Sequence, residues 1–397
     1  MRKQAILTLF CFSVIRALTA ACPCPAGPVK MWFVDNSNTV AGTGTYANPF
    51  NSLKLAEAAS NPCDVIYVFP GNTPTDMTGM NEGIILKPNQ RLLGTTSQAF
   101  QICPAASGCA APVISNQIAE PISPVVLLSD NNEVSGFIIE DRQGAHCIAN
   151  GLIDLSTFMG GIPITDAKIT QNFIRPGPNA GGVVIATSPN LGNVLISNCT
   201  VNSLDPMAIL GIGFASNGNA VVSIAKNTVT CNASNGLLLG IIARDAFGGP
   251  VDVSCTQNTL VMQDTCIVGI GAGSGQLMYD SPMTADIASN NVALINPPGG
   301  GAPFVAGILG TAFQTGTLCL SLTNNVSQVP YIPALGAASG GYILYNQNPA
   351  TYAFILSSNN NNEGIFATPQ ITGGPFFGPV YPIQLWTECV LTPPVGS

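Results

Sequence analysis

A six-residue pattern recurs eight times in the 397 residues of this chain and constrains its fold more than any other feature. Most copies begin and end with an apolar residue and carry asparagine at their fourth position. The fourth positions fall at residues 137, 172, 199, 227, 258, 290, 324 and 359, at intervals of 27 to 35 residues. Self-similarity at such a period is typical of solenoids, in which each repeat packs on its neighbours. The pattern therefore predicts one elongated repeat array.

Most periods also contain a second apolar run bounded by glycine. Examples are residues 182–186, 236–240, 307–310 and 341–344. Short apolar runs separated by turn residues are typical of strands, and no helical periodicity lies between them. The sequence therefore predicts an all-β fold, a parallel β-helix with the first-position residues in its core. The fourth-position asparagines are expected to stack as an amide ladder, as they do in other stacked β structures.

Composition excludes two broad classes of protein. Charged residues make up 8% of the chain, and its formal net charge is −8. Disordered chains carry much more charge, and nucleic-acid-binding proteins need a basic face, so neither class fits. All twelve Lys and Arg residues lie at or before Arg244, so the last 153 residues offer no basic side chain.

The N-terminal segment has the features of an export signal. Arg2 and Lys3 precede an apolar run at residues 5–15, and Ala20 and Ala21 offer a cleavage site. Lipidation at the cysteine that follows, residue 22, is an alternative. No later apolar run is long enough for a transmembrane helix. The sequence thus predicts an exported protein, extracellular or on the outer surface of a bacterium.

Removal of the signal leaves twelve cysteines, an even number that favours disulfides in an exported protein. Cys103 and Cys109 bracket a short loop and are the best local pair. Cys22 and Cys24 are too close in sequence for an easy mutual bond, so partners elsewhere are expected. The alternative is that cysteines are small buried core residues, as suggested for Cys199 at a fourth position.

Five segments are predicted: a signal peptide (1–21), a Cys/Pro-rich linker (22–30), an N-terminal cap with the first coils (31–100), the β-helix repeats (101–372) and an aromatic, Pro-rich lid (373–397). Strands are predicted over residues 31–35, 64–69, 84–87 and 91–94. A helix is predicted over 53–59, with Ser52 as its N-cap, and is expected to close the N-terminal end of the core.

Residues 33–72 hold a strand followed by aspartate, a Gly-Thr…Asn-Pro-Phe loop, a short helix and an Asp-x-Ile-Tyr-Val-x-Pro-Gly strand. Together with residues 83–94, this segment resembles the N-terminal coil of right-handed parallel β-helix proteins of the pectin-lyase-like superfamily. The resemblance implies a right-handed solenoid with an N-terminal capping helix. Two Phe-x-x-Asn tetrapeptides, at 33–36 and 214–217, are loosely similar to the passenger domains of chlamydial polymorphic outer-membrane proteins. The fold hosts enzymes, adhesins and structural shafts, so the resemblance leaves function open.

Sugar cleavage is the superfamily's best-known chemistry. It implies paired carboxylates in hydrolases, or a basic residue beside a calcium-binding acidic cluster in lyases. Residues 140–146 combine such groups as no other segment does: Glu140, Asp141, Arg142 and His146, the single histidine. Three further groups follow about one turn later: Asp166, Lys168 and Arg175. If they converge with the first set, an active site results; the alternative is an ordinary polar loop.

Metal binding has weaker support. Asp130 with Glu133, and Asp252 with Asp264, are candidate calcium pairs, and calcium is the only candidate cofactor. A transition-metal site is not expected, because CxxC is absent and a single histidine cannot complete the usual ligand sets.

The low charge and the missing hydrolase and lyase motifs favour a non-catalytic envelope or adhesion role. The expected partners are glycans or a host or envelope surface protein, and not nucleic acid. The alternative is a polysaccharide lyase or glycoside hydrolase that acts on an acidic polysaccharide through residues 140–146. The ligand and the oligomeric state are left open.

Overall fold

The computed structural model describes much of the chain after the N-terminal segment. The described residues are 24, 27–98, 110–117, 123–151, 163–187, 192–203, 208, 210–216, 219–231, 239–245, 250–264, 266–274, 282–297, 305–312, 317–330, 339–346, 354–360, 366–367 and 384–385.

These residues contain one helix, α1 (Leu53–Ala59), and thirty strands. The first ten strands are β1 (Met31–Val34), β2 (Val65–Val68), β3 (Ile84–Ile85), β4 (Arg91–Gly94), β5 (Val113–Ser115), β6 (Val126–Leu127), β7 (Asn132–Ser135), β8 (Ile138–Glu140), β9 (His146–Ala149) and β10 (Asp166–Thr170). The next ten are β11 (Phe173–Arg175), β12 (Gly181–Thr187), β13 (Gly192–Ser197), β14 (Thr200–Asn202), β15 (Leu210–Ser216), β16 (Ala220–Ala225), β17 (Thr228–Thr230), β18 (Leu239–Asp245), β19 (Val251–Thr256) and β20 (Thr259–Gln263). The last ten are β21 (Val268–Ser274), β22 (Pro282–Ala288), β23 (Asn291–Ile295), β24 (Val305–Ala312), β25 (Thr317–Thr323), β26 (Val326–Gln328), β27 (Ser339–Asn346), β28 (Phe354–Asn360), β29 (Phe366–Ala367) and β30 (Gln384–Leu385).

The strands form three parallel sheets. Sheet 1 has twelve strands: β1, β2, every third strand from β4 to β28, and β30. Sheet 2 has eight, every third strand from β5 to β26, and sheet 3 has ten, every third strand from β3 to β27 followed by β29. From β4 to β28, successive strands enter sheets 1, 2 and 3 in rotation, so the chain winds as a parallel β-helix. The predicted all-β solenoid is confirmed.

The first-position residues of the repeat stack at the inner face of sheet 1. The stack consists of Val134, Ile169, Ile196, Ile224, Cys255, Ile287 and Leu322. Each is at most 2% exposed and belongs to a single core cluster, to which all three sheets contribute side chains. Burial of an aliphatic side chain contributes about 1.5–3 kcal/mol, so this stack stabilises every turn.

The third position of the repeat has a conformational requirement that the sequence pattern did not reveal. Its residues have positive φ values between 54° and 87°: Gly136, Gln171, Asn198, Lys226, Gln257, Ser289 and Asn324. A left-handed residue turns the chain sharply, so it takes the backbone from sheet 1 to sheet 2 within two residues. Apart from Gly136 these side chains are polar, but they are not of one residue type, so the requirement is not evident from the sequence pattern.

The pairing corrects the predicted alignment of the last two repeats. Ile287 pairs with Leu322, so the ladder position of that turn is Asn325 and not residue 324. In the next turn, a register shift after Leu320 places residue 359 opposite Leu322. Residue 359 therefore takes the first position instead of the predicted fourth. The sequence could not reveal the slip, because several asparagines follow one another in both segments.

Helix α1 is present where it was predicted. The Oγ atom of Ser52 accepts a hydrogen bond of 3.3 Å from the backbone N of Leu55, as an N-cap does. Leu53 and Ala56 are buried in the core cluster beside β1 and β3. The Nζ atom of Lys87 donates to the carbonyl of Glu57 at 2.8 Å. This contact lies near the C-terminus of the helix, where a positive charge interacts favourably with the helix dipole. Closure of the core end by this helix stays a prediction.

The predicted strands of the N-terminal region are confirmed as β1 to β4, although β3 ends at Ile85 and not at residue 87. Three of the four glycine-bounded runs lie within β12, β24 and β27. The described part of the fourth lies at the start of β18, from Leu239, and residues 236–238 lie outside the described residues. The segment boundaries stay predictions, and of the proposed lid only β30 is described.

The cysteines divide into two groups. Cys24 forms a disulfide with Cys63, with 5.7 Å between their Cα atoms, so Cys24 does pair away from residue 22. Cys319, which is buried, is disulfide-bonded as well. Free, buried cysteines are Cys147, Cys199, Cys231, Cys255 and Cys266. The predicted 103–109 pair lies outside the described residues.

Candidate functional site

The segment with the predicted catalytic groups runs from sheet 2 to sheet 3. Glu140 ends β8, and His146 begins β9. The two side chains therefore belong to different sheets, and the residues between them form the turn that joins these sheets. This arrangement separates the groups that an active site would have to bring together.

Glu140 lies at the centre of an ion cluster. Its carboxylate forms ion pairs with Arg142 in the same turn and with Arg175 in the next turn. Arg175 is the residue directly opposite Glu140 in the β8–β11 register, and its guanidinium carbon lies 4.9 Å from the ring centroid of Phe173. The side chain of Glu140 is 10% exposed, whereas those of Arg142 and Arg175 are 49% and 33% exposed. The acid is thus covered, and the cations reach solvent.

Asp141 has a structural task. Its two carboxylate oxygens accept hydrogen bonds from the backbone N atoms of Gln143, Gly144, Ala145 and Gly177, and from Nδ2 of Asn116, at 2.7–3.3 Å. The residue is 2% exposed. A buried carboxylate with so many donors holds the turn in place and has no oxygen directed at solvent for chemistry.

His146 is also occupied. It is 4% exposed, and its Nδ1 atom accepts a hydrogen bond of 3.1 Å from the backbone N of Gly181, its pairing partner in β12. This contact ties two neighbouring turns of sheet 3 together. The single histidine is therefore a buried residue of sheet 3.

Lys168 and Asp166 do not join the predicted patch, because both lie on sheet 1. Lys168 Nζ lies 2.8 Å from Glu133 Oε1, and Arg91 Nε lies 2.6 Å from Glu133 Oε2. The three residues are direct neighbours across β4, β7 and β10. Burial raises the pKa of Glu133, but the hydrogen bonds and charges of Lys168 and Arg91 outweigh it, and the pKa is lowered overall. Asp166 Oδ1 accepts from the backbone N of Asn193 at 2.9 Å.

The two ion clusters share one spacing. Glu133 precedes Lys168 by 35 residues, and Glu140 precedes Arg175 by 35 residues, which equals the first repeat interval. One turn therefore supplies an acid on each of two sheets, and the next turn supplies the matching base. This recurrence of opposite charges at the repeat period is a trace of both clusters in the sequence, but it does not show to which sheet each side chain belongs.

A groove of about 550 Å³ opens beside the Glu140 cluster on the outer side of sheet 2. Its lining consists of Pro74, Met77, Ser115, Gln117, Glu140, Arg142 and Arg175. Among the described residues that line it, Glu140 is the single carboxylate. Sequence analysis placed Arg142 and Arg175 near Glu140, but the other four lining residues come from distant segments and were missed.

The candidate calcium pairs do not form clusters. Asp130 Oδ1 accepts from the backbone N of Thr165 at 2.9 Å, and Glu133 binds two cationic side chains. Asp252 lies in β19 of sheet 1, whereas Asp264 follows β20 of sheet 2. Within the part of the chain that the structure describes, no three His, Cys, Asp or Glu side chains lie close enough to hold a metal ion.

Comparison with known proteins yields no relative. No family model matches the chain, and neither a curated protein nor a solved structure is significantly similar to it. In the described residues, no helix has the length and apolar character needed to cross a membrane. The groove is therefore interpreted from its own chemistry.

Proposed function

We propose that this protein is an exported, non-catalytic β-helix protein of the pectin-lyase-like superfamily that binds an acidic glycan of an envelope or host surface. The groove beside Glu140 is the proposed binding site. One observation carries the proposal: the carboxylate of Glu140 is covered and bound by Arg142 and Arg175, while both guanidinium groups stay partly exposed.

The groove suits a ligand that carries both carboxylates and hydroxyls. A guanidinium group has five N–H donors, and each arginine uses only part of them on Glu140. The remaining donors match the planar, bidentate geometry of a ligand carboxylate. Ser115 and Gln117 add polar groups for sugar hydroxyls, and Met77 with Pro74 gives an apolar wall.

Binding without cleavage fits the same geometry. A glycosidase needs two carboxyl groups flanking the scissile bond. In the described lining of the groove there is one, and its oxygens are already bound by arginine. The other predicted acid and base, Asp141 and His146, hold a turn and a strand pair. The alternative function, a polysaccharide lyase or hydrolase, gains no support from this arrangement.

Export is supported by two independent features. The N-terminal segment has the composition of a secretory signal. The Cys24–Cys63 disulfide fits an oxidising compartment, where such bonds form and persist. An outer-surface location also fits a fold whose long faces are available to surface ligands.

Calorimetry with polygalacturonate, alginate and hyaluronan tests the proposal, with a neutral dextran as the control ligand. We expect binding to at least one acidic glycan, weakened by salt because exposed charges are screened. Arg142→Gln should weaken it about tenfold, since a charge-assisted bidentate contact is lost. Lys226→Gln removes the same charge from an exposed residue at the sheet 1–sheet 2 corner, outside the groove lining, and should not change binding. Absence of binding to all three, or release of unsaturated or reducing sugars, overturns the proposal.

A further inference from the structure

The outer face of sheet 1 carries a straight column of residues that crosses five successive strands. From β10 to β22 the column reads Lys168, Leu195, Ser223, Ser254 and Asp286. Register is continuous over these strands. With about 4.8 Å between neighbouring strands, the two ends of the column lie roughly 19 Å apart.

The column has opposite charges at its ends. The side chain of Lys168 is 49% exposed, and Asp286 is exposed. Asp286 forms no ion pair with another described residue, and the chain beyond Arg244 contains no Lys or Arg to neutralise it. Lys168 has three N–H donors, of which Glu133 takes one. Both ends are thus available to a partner.

The middle of the column carries uncharged side chains, Leu195, Ser223 and Ser254. Ser223 lies at the centre, two strands from each charged end. On the same strand, Val221 is 45% exposed on one side of Ser223, and Ala225 is half-buried on the other. Val221 is one of the few large aliphatic side chains exposed on the described surface, so it is a candidate contact residue.

These positions are related by symmetry about Ser223. A twofold axis that lies in the plane of the interface and runs along β16 through Ser223 places Lys168 of one molecule opposite Asp286 of another, and it does so twice. The same axis brings Val221 of one copy against Val221 of the other. An isologous interface requires this kind of self-complementarity, in which one surface patch matches itself. Asp166, the half-buried acid two residues before Lys168, falls opposite Thr284 and is already bound by Asn193.

We infer that the outer face of sheet 1 is the interface of a homodimer, in which two copies pack antiparallel and face to face through Ser223. The groove lies on sheet 2, so the dimer would present two binding sites and leave both open. The inference does not depend on the proposed glycan function. The interface would consist of two symmetry-related Lys168–Asp286 pairs on either side of a contact between the two Val221 side chains.

Sedimentation velocity of the mature chain tests the interface. We expect a monomer–dimer equilibrium that shifts toward monomer at high salt, because exposed ion pairs are screened. Asp286→Asn should raise the dimer dissociation constant about tenfold, since two equivalent pairs are lost together. Asp264→Asn removes the same charge away from this face, from a position next to sheet 2, and should leave the equilibrium unchanged.

Charge reversal distinguishes direct pairing from a general effect of charge. Asp286→Lys should abolish the dimer, and the double variant Lys168→Glu with Asp286→Lys should restore it, because the same pairs form with exchanged signs. Circular dichroism and the unfolding midpoint identify any variant that fails to fold. A wild-type protein that stays monomeric at about 100 µM, an open-ended assembly, or a double variant that folds but does not dimerise overturns the inference.

Discussion

Asn227 donates two hydrogen bonds to the side chain of Asn258 on the next turn. Its Nδ2 atom lies 3.0 Å from Oδ1 of Asn258, and its backbone N lies 2.9 Å from the same oxygen. Nδ2 of each also donates to a main-chain carbonyl of the preceding turn, that of Ile196 for Asn227 and that of Ile224 for Asn258. The bonding recurs through Asn290 and Asn325. Every rung thus satisfies buried polar groups that sheet pairing leaves open.

Loss of one rung should be costly. Asn258→Ala would leave Nδ2 and the backbone N of Asn227 without their acceptor and the Ile224 carbonyl without its donor, all in a buried site. We expect a loss of about 2–4 kcal/mol in the free energy of unfolding, measured by urea denaturation. Asn291→Ala, at the exposed neighbour of ladder residue Asn290, should change it by less than about 0.5 kcal/mol. Equal losses in both variants would contradict a ladder-specific effect.

The glycines of sheet 3 make a second stacked column where turns approach closely. A Cβ atom on Gly240 would lie 2.5 Å from the carbonyl oxygen of Gly269 and 2.6 Å from Cδ2 of Leu260. Gly240→Ala should therefore destabilise the protein by about 1–3 kcal/mol through overpacking. Gly27→Ala, whose Cβ would meet nothing within 4 Å, is the matched control. Thermal unfolding of both variants measures the difference, and an unchanged midpoint for Gly240→Ala would refute the close approach.

Protonation of Glu133 should destabilise the fold in acid. Its folded pKa lies below the ordinary value of 4.5, so its stabilising effect is complete above that value and is lost as pH falls through the folded pKa. Glu133→Gln should lower stability by about 1–2 kcal/mol at neutral pH and flatten the stability profile between about pH 5 and pH 3.

Denaturation curves across that range measure the effect. Glu82→Gln is the control, since Glu82 takes part in no ion pair with a described residue. A Glu133→Gln profile that keeps the full wild-type slope would show that another carboxylate is responsible.

The buried thiols should not react with alkylating reagents in the folded protein. Burial raises the pKa of Cys199 and of Cys255 to about 12, and it also raises the pKa of Cys147 and Cys266. Only the thiolate reacts, so iodoacetamide near pH 8 should label none of the four before unfolding and all four in about 6 M guanidinium. Peptide mass mapping reads both states. Rapid labelling of Cys199 in the native protein would contradict its place in the core.

Cys199 also shows how far the repeat could be interpreted from sequence. It occupies the ladder position, and its Sγ atom lies 3.7 Å from the carbonyl of Ile169, where asparagine rungs place Nδ2. Its backbone N still donates to Oδ1 of Asn227 at 3.0 Å. The expectation of a core or ladder residue was therefore correct, because a position fixed by stacking keeps its place even when its side chain changes.

The candidate site was only partly predictable. Glu140, Arg142 and Arg175 were named and do cluster. Asp141 and His146 stand next to them in sequence but bind a turn and a strand pair instead. Adjacent residues at a sheet boundary point to different surfaces, and the direction of each depends on the turn that Asp141 itself stabilises.

By itself the sequence determined the repeat, the strands, the helix at residues 53–59 and the amide ladder. These features depend on short-range periodicity and on the stacking of equivalent residues in successive repeats. Both can be recognised from the order of residues alone. The tertiary structure alone decided which charged groups meet: Glu133 with Arg91 and Lys168 on one sheet, and Glu140 with Arg142 and Arg175 on another. Those contacts depend on the register between turns of unequal length and on the sheet to which each side chain belongs. Neither is fixed until the strands of successive turns have paired.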